Sequence, residues 1–168
     1  MNRGTCAAEL ATGVCLEFLE AAIHATLHRR GLYPPELFER RSIFGISLLA
    51  AARPPALAAY VADFLTALGP LARRGVARQV VLQVLSADAT PLEKHVFDFR
   101  LLGCSSEAGE RQLAPAEARE ALAALEQLLS EALQRLGAGD AYLRPLPPGE
   151  CPGSGGAEAA DARSRLHL

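Results

Sequence analysis

A chain of 168 residues is long enough for a single domain with a real hydrophobic core. Half of its residues are hydrophobic, which excludes a chain disordered throughout, although much of that half is alanine and contributes little buried area. A formal net charge of −2 leaves no electrostatic footprint for direct contact with nucleic acid.

The first element is AAELATGVCLEFLEAAIHATLHRR, which is apolar around most of a helical wheel. Its polar residues Glu17, Glu20, His24 and His28 fall on one narrow stripe, so the spacing predicts a central helix packed on several sides. Gly31 ends it, and Tyr33-Pro34-Pro35 prevents it from resuming. ELFERRSIFGISLLA has short apolar clusters around Gly45 and reads as one or two short strands with a turn. PPALAAYVADFLTALGPLARRG opens with prolines, places Leu57, Val61, Phe64, Leu68 and Leu71 at helical spacing, kinks at Pro70 and stops at Gly75.

VARQVVLQVL is a buried strand by its branched and leucine-rich composition. After the turn residues SADATP, LEKHVFDFRL alternates. His95, Phe97, Phe99 and Leu101 point one way, and Lys94, Asp98 and Arg100 the other. The pair reads as an antiparallel hairpin. APAEAREALAALEQLLSEALQRLG gives a third helix with Leu122, Leu125, Leu129, Ala132 and Leu136 on its core face and Gly137 at its left-handed end. Helices and an antiparallel sheet in separate layers define an α+β fold. One hairpin is a thin sheet for three helices, and a further strand is expected after the third.

No active site assembles from these residues. Glu20, His24 and His28 could offer three zinc ligands on one helix face, but H-E-x-x-H is absent and no cysteine pair accompanies them, so no metal or other cofactor is expected. Cys6, Cys15, Cys104 and Cys151 have no C-x-x-C spacing and read as free thiols. Cys15/His24 and Cys104/His95 are nucleophile–base pairs only on paper. GSGG at 153–156 has neither the preceding strand nor the Lys-Ser/Thr of a phosphate loop. The arginine pairs 29–30, 40–41 and 73–74 lie at element ends, where solvated arginines are ordinary. The apolar stretches are interrupted by charge before the roughly 20 residues of a membrane span, and no signal-peptide core precedes Glu9, so a soluble intracellular protein is expected. No catalytic residue is assigned, and a binding module is favoured over an enzyme.

Several stretches in order carry a more specific likeness: LEFLEAAIHATL, LYP, LF-x-RR, P-x-L-x-x-Y-V-x-D, PLEKHVFDF, EQLL and GDAYLRPLPPGE. From about residue 10 to about residue 149 the chain resembles the HORMA-domain accessory subunits of DNA polymerase zeta, the mitotic-arrest-deficient-two-like branch of that family. The resemblance implies three helices packed on an antiparallel sheet. It also implies a non-enzymatic adaptor, nuclear and also cytoplasmic. Its partners would be a peptide of the polymerase zeta catalytic subunit and shieldin subunits, and it would serve translesion synthesis, end protection and restraint of the anaphase-promoting complex. By the same resemblance Tyr33 and Tyr60 line a peptide site, while Arg40, Ser130 and Ala141 lie on a surface for homo- or heterodimers. The family has an arginine where this chain has Ser130, which puts self-association in doubt.

The departure is the tail. Residues 1–148 read as a HORMA domain lacking its last part, and 149–168 as a disordered, non-family segment. GECPGSGGAEAADARSRLHL stands where the family has a further strand, a partner-trapping "safety belt" and the inserter-polymerase surface. The expectation is an adaptor with impaired peptide trapping, as an alternative transcript or mispredicted exon could produce. The other reading is a partly folded remnant without binding activity.

Overall fold

The structure is a computed structural model that describes residues 7–52, 55–86, 88–99, 114–146 and 166–167. Among these residues, three α-helices and two antiparallel sheets make the α+β architecture expected from the sequence.

Helix α1, Ala7–Arg29, is the centre of the domain and contacts both other helices and the first hairpin. Leu19, Ala21, Ala22, Ile23 and Leu27 are essentially sealed from solvent. Seven consecutive positions, Ala21 to Leu27, are all buried, so this half of the helix is covered on every side, while Glu9, Gly13 and Glu17 keep one face of its first half exposed. Of the stripe read as polar, His24 is only 3% exposed, because neighbours cover that face as well. By length and composition Glu9–Arg29 could cross a membrane, contrary to the reading of its charges, but 61% of its most apolar window is buried inside the protein.

Helix α1 ends at Gly31, whose φ of +63° lets Leu32 N–H reach the Leu27 carbonyl and Gly31 N–H reach that of His28. This double closure satisfies the last carbonyls of the helix. After a short 3₁₀ turn at Pro35–Leu37, strands β1 (Phe38–Ile43) and β2 (Ile46–Ala52) form a hairpin. Phe44 and Gly45 both have positive φ, the conformation that matches a two-residue turn to twisted strands.

Helix α2, Pro55–Arg73, contains Pro70 and closes on Gly75 in the same manner as α1. Its buried face is Leu57, Val61, Leu65 and Leu68, with Phe64 half-buried, while Leu71 is 38% exposed. Leu71 was expected on the core face, but it lies in the last turn of the helix and is not covered.

Strands β3 (Gln79–Leu85) and β4 (Pro91–Asp98) pair antiparallel, with Val81 opposite Val96. Phe97 meets Phe18 edge-on at 6.0 Å, which fixes this face of β4 against α1. Helix α3, Pro115–Gly139, buries Leu129 and Leu133 against α1, with Leu122, Leu125, Ala132 and Leu136 flanking them. It continues two residues past the expected stop at Gly137. That glycine is helical, and its missing side chain makes room for the Arg29 guanidinium, which donates to the Gly137 carbonyl.

Strand β5, Leu166–His167, pairs antiparallel with β3 at Val84 and Gln83, giving the order β4-β3-β5. The expected disorder of 149–168 otherwise falls outside the described residues.

Candidate functional site

The residues proposed for catalysis or metal binding go to separate tasks. Cys15 and His24 are both buried on α1 but nine residues apart, about two and a half turns, so they leave opposite faces. Glu20 takes Arg41 Nη1 at 3.3 Å. His28 packs edge-on against the Phe38 ring at 5.1 Å. No group of three His, Cys, Asp or Glu side chains is placed to hold a metal among the described residues. Cys104 and GSGG at 153–156 lie outside them.

Nor do the arginine pairs form a basic patch. Arg29 is taken by Gly137, Arg41 by Glu20, and Arg74 by the Pro70 carbonyl at 3.2 Å. Arg30, expected to be solvated, has a largely covered side chain. It grips Glu93 with two nitrogens, Nε at 2.9 Å from Oε2 and Nη2 against Oε1, and donates to the Arg144 carbonyl at 2.6 Å. The Arg30 and Glu93 side chains are only 8% and 10% exposed, and His95 Nε2 stands 3.4 Å from Glu93 Oε2. This cluster ties the end of α1, strand β4 and the segment after α3 together.

Sequence reading did not assign this cluster, though its signal was present. Glu93 has the same parity on β4 as His95 and Phe97, so an acid occupies an inward position. A carboxylate there requires a charged or hydrogen-bonding partner.

Tyr33 lies in the turn after α1 and Tyr60 on α2. Both are half-buried and pack against the central core cluster. Ser130 is half-buried on α3, and Ala141 is exposed in the 3₁₀ turn that follows it, eleven residues and about three turns further on. Arg40 is exposed on β1, opposite Leu49, in the first hairpin.

Beside the Arg30–Glu93 pair lies a cavity of about 420 Å³ lined by Leu92, Glu93, Lys94, His95, Leu136, Gly139 and Leu143. Four consecutive residues of β4 line it, so it opens on the edge of the strand as well as on its faces.

No family model matches the chain. It is 30% identical over 144 residues to the mitotic spindle assembly checkpoint protein MAD2B of Danio rerio, and equally so to that of Homo sapiens, each match covering 84% of this chain and 62% of the relative. The DNA polymerase zeta processivity subunit of Arabidopsis thaliana is 27% identical over 133 residues, 79% of this chain and 56% of that protein. The chain thus spans about 62% of the length of the MAD2B proteins it matches. A chain of a mitotic checkpoint complex crystal structure superposes with a TM-score of 0.58 at 17% identity, covering 80% of this chain and 67% of that one, a likeness of fold.

Proposed function

We propose that this chain, which belongs to the HORMA-type family, is a non-enzymatic adaptor that captures extended peptides of partner proteins. The observation that carries this reading is the relationship to MAD2B and to the polymerase zeta processivity subunit across most of the chain. The partners are, in this proposal, the polymerase zeta catalytic subunit and shieldin subunits. The setting is nuclear, in translesion synthesis, end protection and restraint of the anaphase-promoting complex. Tyr33 and Tyr60, half-buried beside the core, would line the peptide site. Dimerisation through Arg40, Ser130 and Ala141 would be weak, since serine offers neither the charge nor the fork of donors of an arginine.

Trapping by these 168 residues would be poor. A six-residue strand adds about 5 backbone hydrogen bonds worth roughly 0.5–1.5 kcal/mol each. Ordering those residues costs roughly 1–2 kcal/mol apiece, before any loss of translational freedom. Side-chain burial must supply the remainder, and residues 149–165 contain no Leu, Ile, Val, Phe or Tyr to cover a bound peptide.

The test is surface plasmon resonance with a peptide of the polymerase zeta catalytic subunit. The expected affinity is no better than roughly micromolar, with fast dissociation. Tyr33→Ala and Tyr60→Ala should each weaken it further, and appending a family-like C-terminal region should slow release. A dissociation half-life of hours for the 168-residue chain would refute impaired trapping. Binding that ignores both tyrosine substitutions would refute the site.

A further inference from the structure

The arginine pairs lie apart from one another, but the pair at the end of α2 has a third arginine beside it. Arg73, Arg74 and Arg78 are all exposed, and no acidic residue occurs between Asp63 and Asp88. We propose that this turn is a docking site for a phosphorylated segment of a partner protein. The segment would carry a phosphothreonine or phosphoserine next to an aliphatic residue.

Three observations carry this. First, the turn gathers the side chains. Gly75, at a φ of +65°, reverses the chain, so that the N–H groups of Val76 and Ala77 both return to the Leu71 carbonyl, at 2.9 and 3.2 Å. Arg74 precedes that glycine, and Arg78 folds back onto it, its Nε donating to the Gly75 carbonyl at 3.3 Å. Second, two of the guanidinium groups are held ready. Arg74 Nε donates to the Pro70 carbonyl at 3.2 Å, so in both residues the backbone fixes Nε, and neither makes an ion pair among the described residues. A fork fixed in this way loses little freedom on binding and matches two oxygens of one anion.

Third, the charge exceeds what the fold requires. Basic side chains at a helix C-terminus complement its dipole, but that end carries only about half a negative charge. Asp98 stands opposite Gln79, the next residue, and offsets about one more. Three guanidinium groups against these leave a local excess of about 1.5 positive charges, on a chain whose net charge is −2.

The size and shape of this excess select the ligand. An exposed carboxylate beside an exposed arginine gains little. A phosphate monoester brings a charge of roughly −2 and three oxygens to one point, where two forks can bind it at once. A nucleic acid needs a longer track of basic residues, and here they occupy a single turn. Val76, between the arginines, is 67% exposed, and Leu71 before them is 38% exposed, so an apolar contact lies beside the anion site. An aliphatic residue next to the phosphorylated one would cover it. Tyr60 is about 20 Å away along α2, so this turn and the peptide site above are separate.

The probe is a rhodamine-labelled, end-blocked hexapeptide of glycine, alanine, phosphothreonine, valine, alanine and glycine, titrated with the full chain by fluorescence anisotropy. Binding is expected on the order of 100 µM, and at least about tenfold weaker for the unphosphorylated peptide. Arg74→Gln and Arg78→Gln should each weaken it about fivefold or more. Arg74→Lys, which keeps the charge and loses the fork, should weaken it as well. Arg135→Gln, at an exposed arginine of α3, should leave the affinity unchanged. Circular dichroism should show all four variants folded, since the replaced side chains are exposed. No binding at about 1 mM peptide would overturn the proposal, as would equal affinity for the unphosphorylated peptide or equal weakening by Arg135→Gln. Displacement by an equal concentration of inorganic phosphate would reduce the turn to a free-anion site and overturn the docking of a protein segment. Tighter binding of a single strand of about twelve thymidylates, lost in Arg78→Gln, would assign the turn to nucleic acid and overturn the partner class.

Discussion

Neutralising Glu93 should destabilise the fold far more than a typical surface ion-pair change. In Glu93→Gln the carboxylate is replaced by an amide of the same shape, and Arg30 remains charged. Its side chain is 8% exposed and would retain the Arg144 carbonyl as a hydrogen-bond acceptor but no counter-charge. Breaking a buried pair by removing one partner costs roughly 3–5 kcal/mol, a large part of the roughly 5–15 kcal/mol that holds a domain together. Replacing both partners, as in Arg30→Met with Glu93→Leu, removes the stranded charge. That double variant should regain most of the loss and fall within about 1–2 kcal/mol of the original protein. The assay is urea denaturation followed by circular dichroism, comparing midpoints at constant slope. If Glu93→Gln shifts stability by less than about 0.5 kcal/mol, the pair behaves as a solvated surface contact and the reasoning fails. If the double variant is as unstable as the single one, the loss comes from packing and not from the unpaired guanidinium.

The remaining predictions concern the core, a helix end and a turn. Leu82→Ala, in the middle of β3 and fully buried, should cost about 2–5 kcal/mol in the same denaturation assay, because the cavity lies under both α1 and the sheet. Gly31→Ala should cost about 1 kcal/mol by thermal melting, since alanine resists the left-handed conformation that closes α1. Asp88 accepts hydrogen bonds from the Ser86 hydroxyl and from Thr90, and these hold its carboxyl below the ordinary value of 3.8. Its contribution to stability is therefore complete above that value and is lost as pH falls through the depressed one. Asp88→Asn should lower the melting temperature at pH 7 and converge with the parent protein in strong acid. A difference that persists in strong acid would contradict this.

Much of the fold is legible in the sequence because its elements announce themselves locally. Gly31 and Gly75 stop two helices by conformational freedom alone, and the run at Val80–Leu85 could hardly be other than a buried strand. What escapes local reading is set by tertiary contact. Gly137 looks like a helix end, but it is helical, and its bare Cα makes room for the guanidinium of Arg29, more than a hundred residues earlier. Arg30 looks like a solvated terminus because its partner sits on β4. His24 looks like part of a polar face because it continues the exposed stripe of Glu17 and Glu20, and the residues that cover it are distant in the chain. Tyr33 and Tyr60 could be singled out only through the resemblance, as nothing in their immediate neighbours distinguishes a ligand-lining aromatic from a core one.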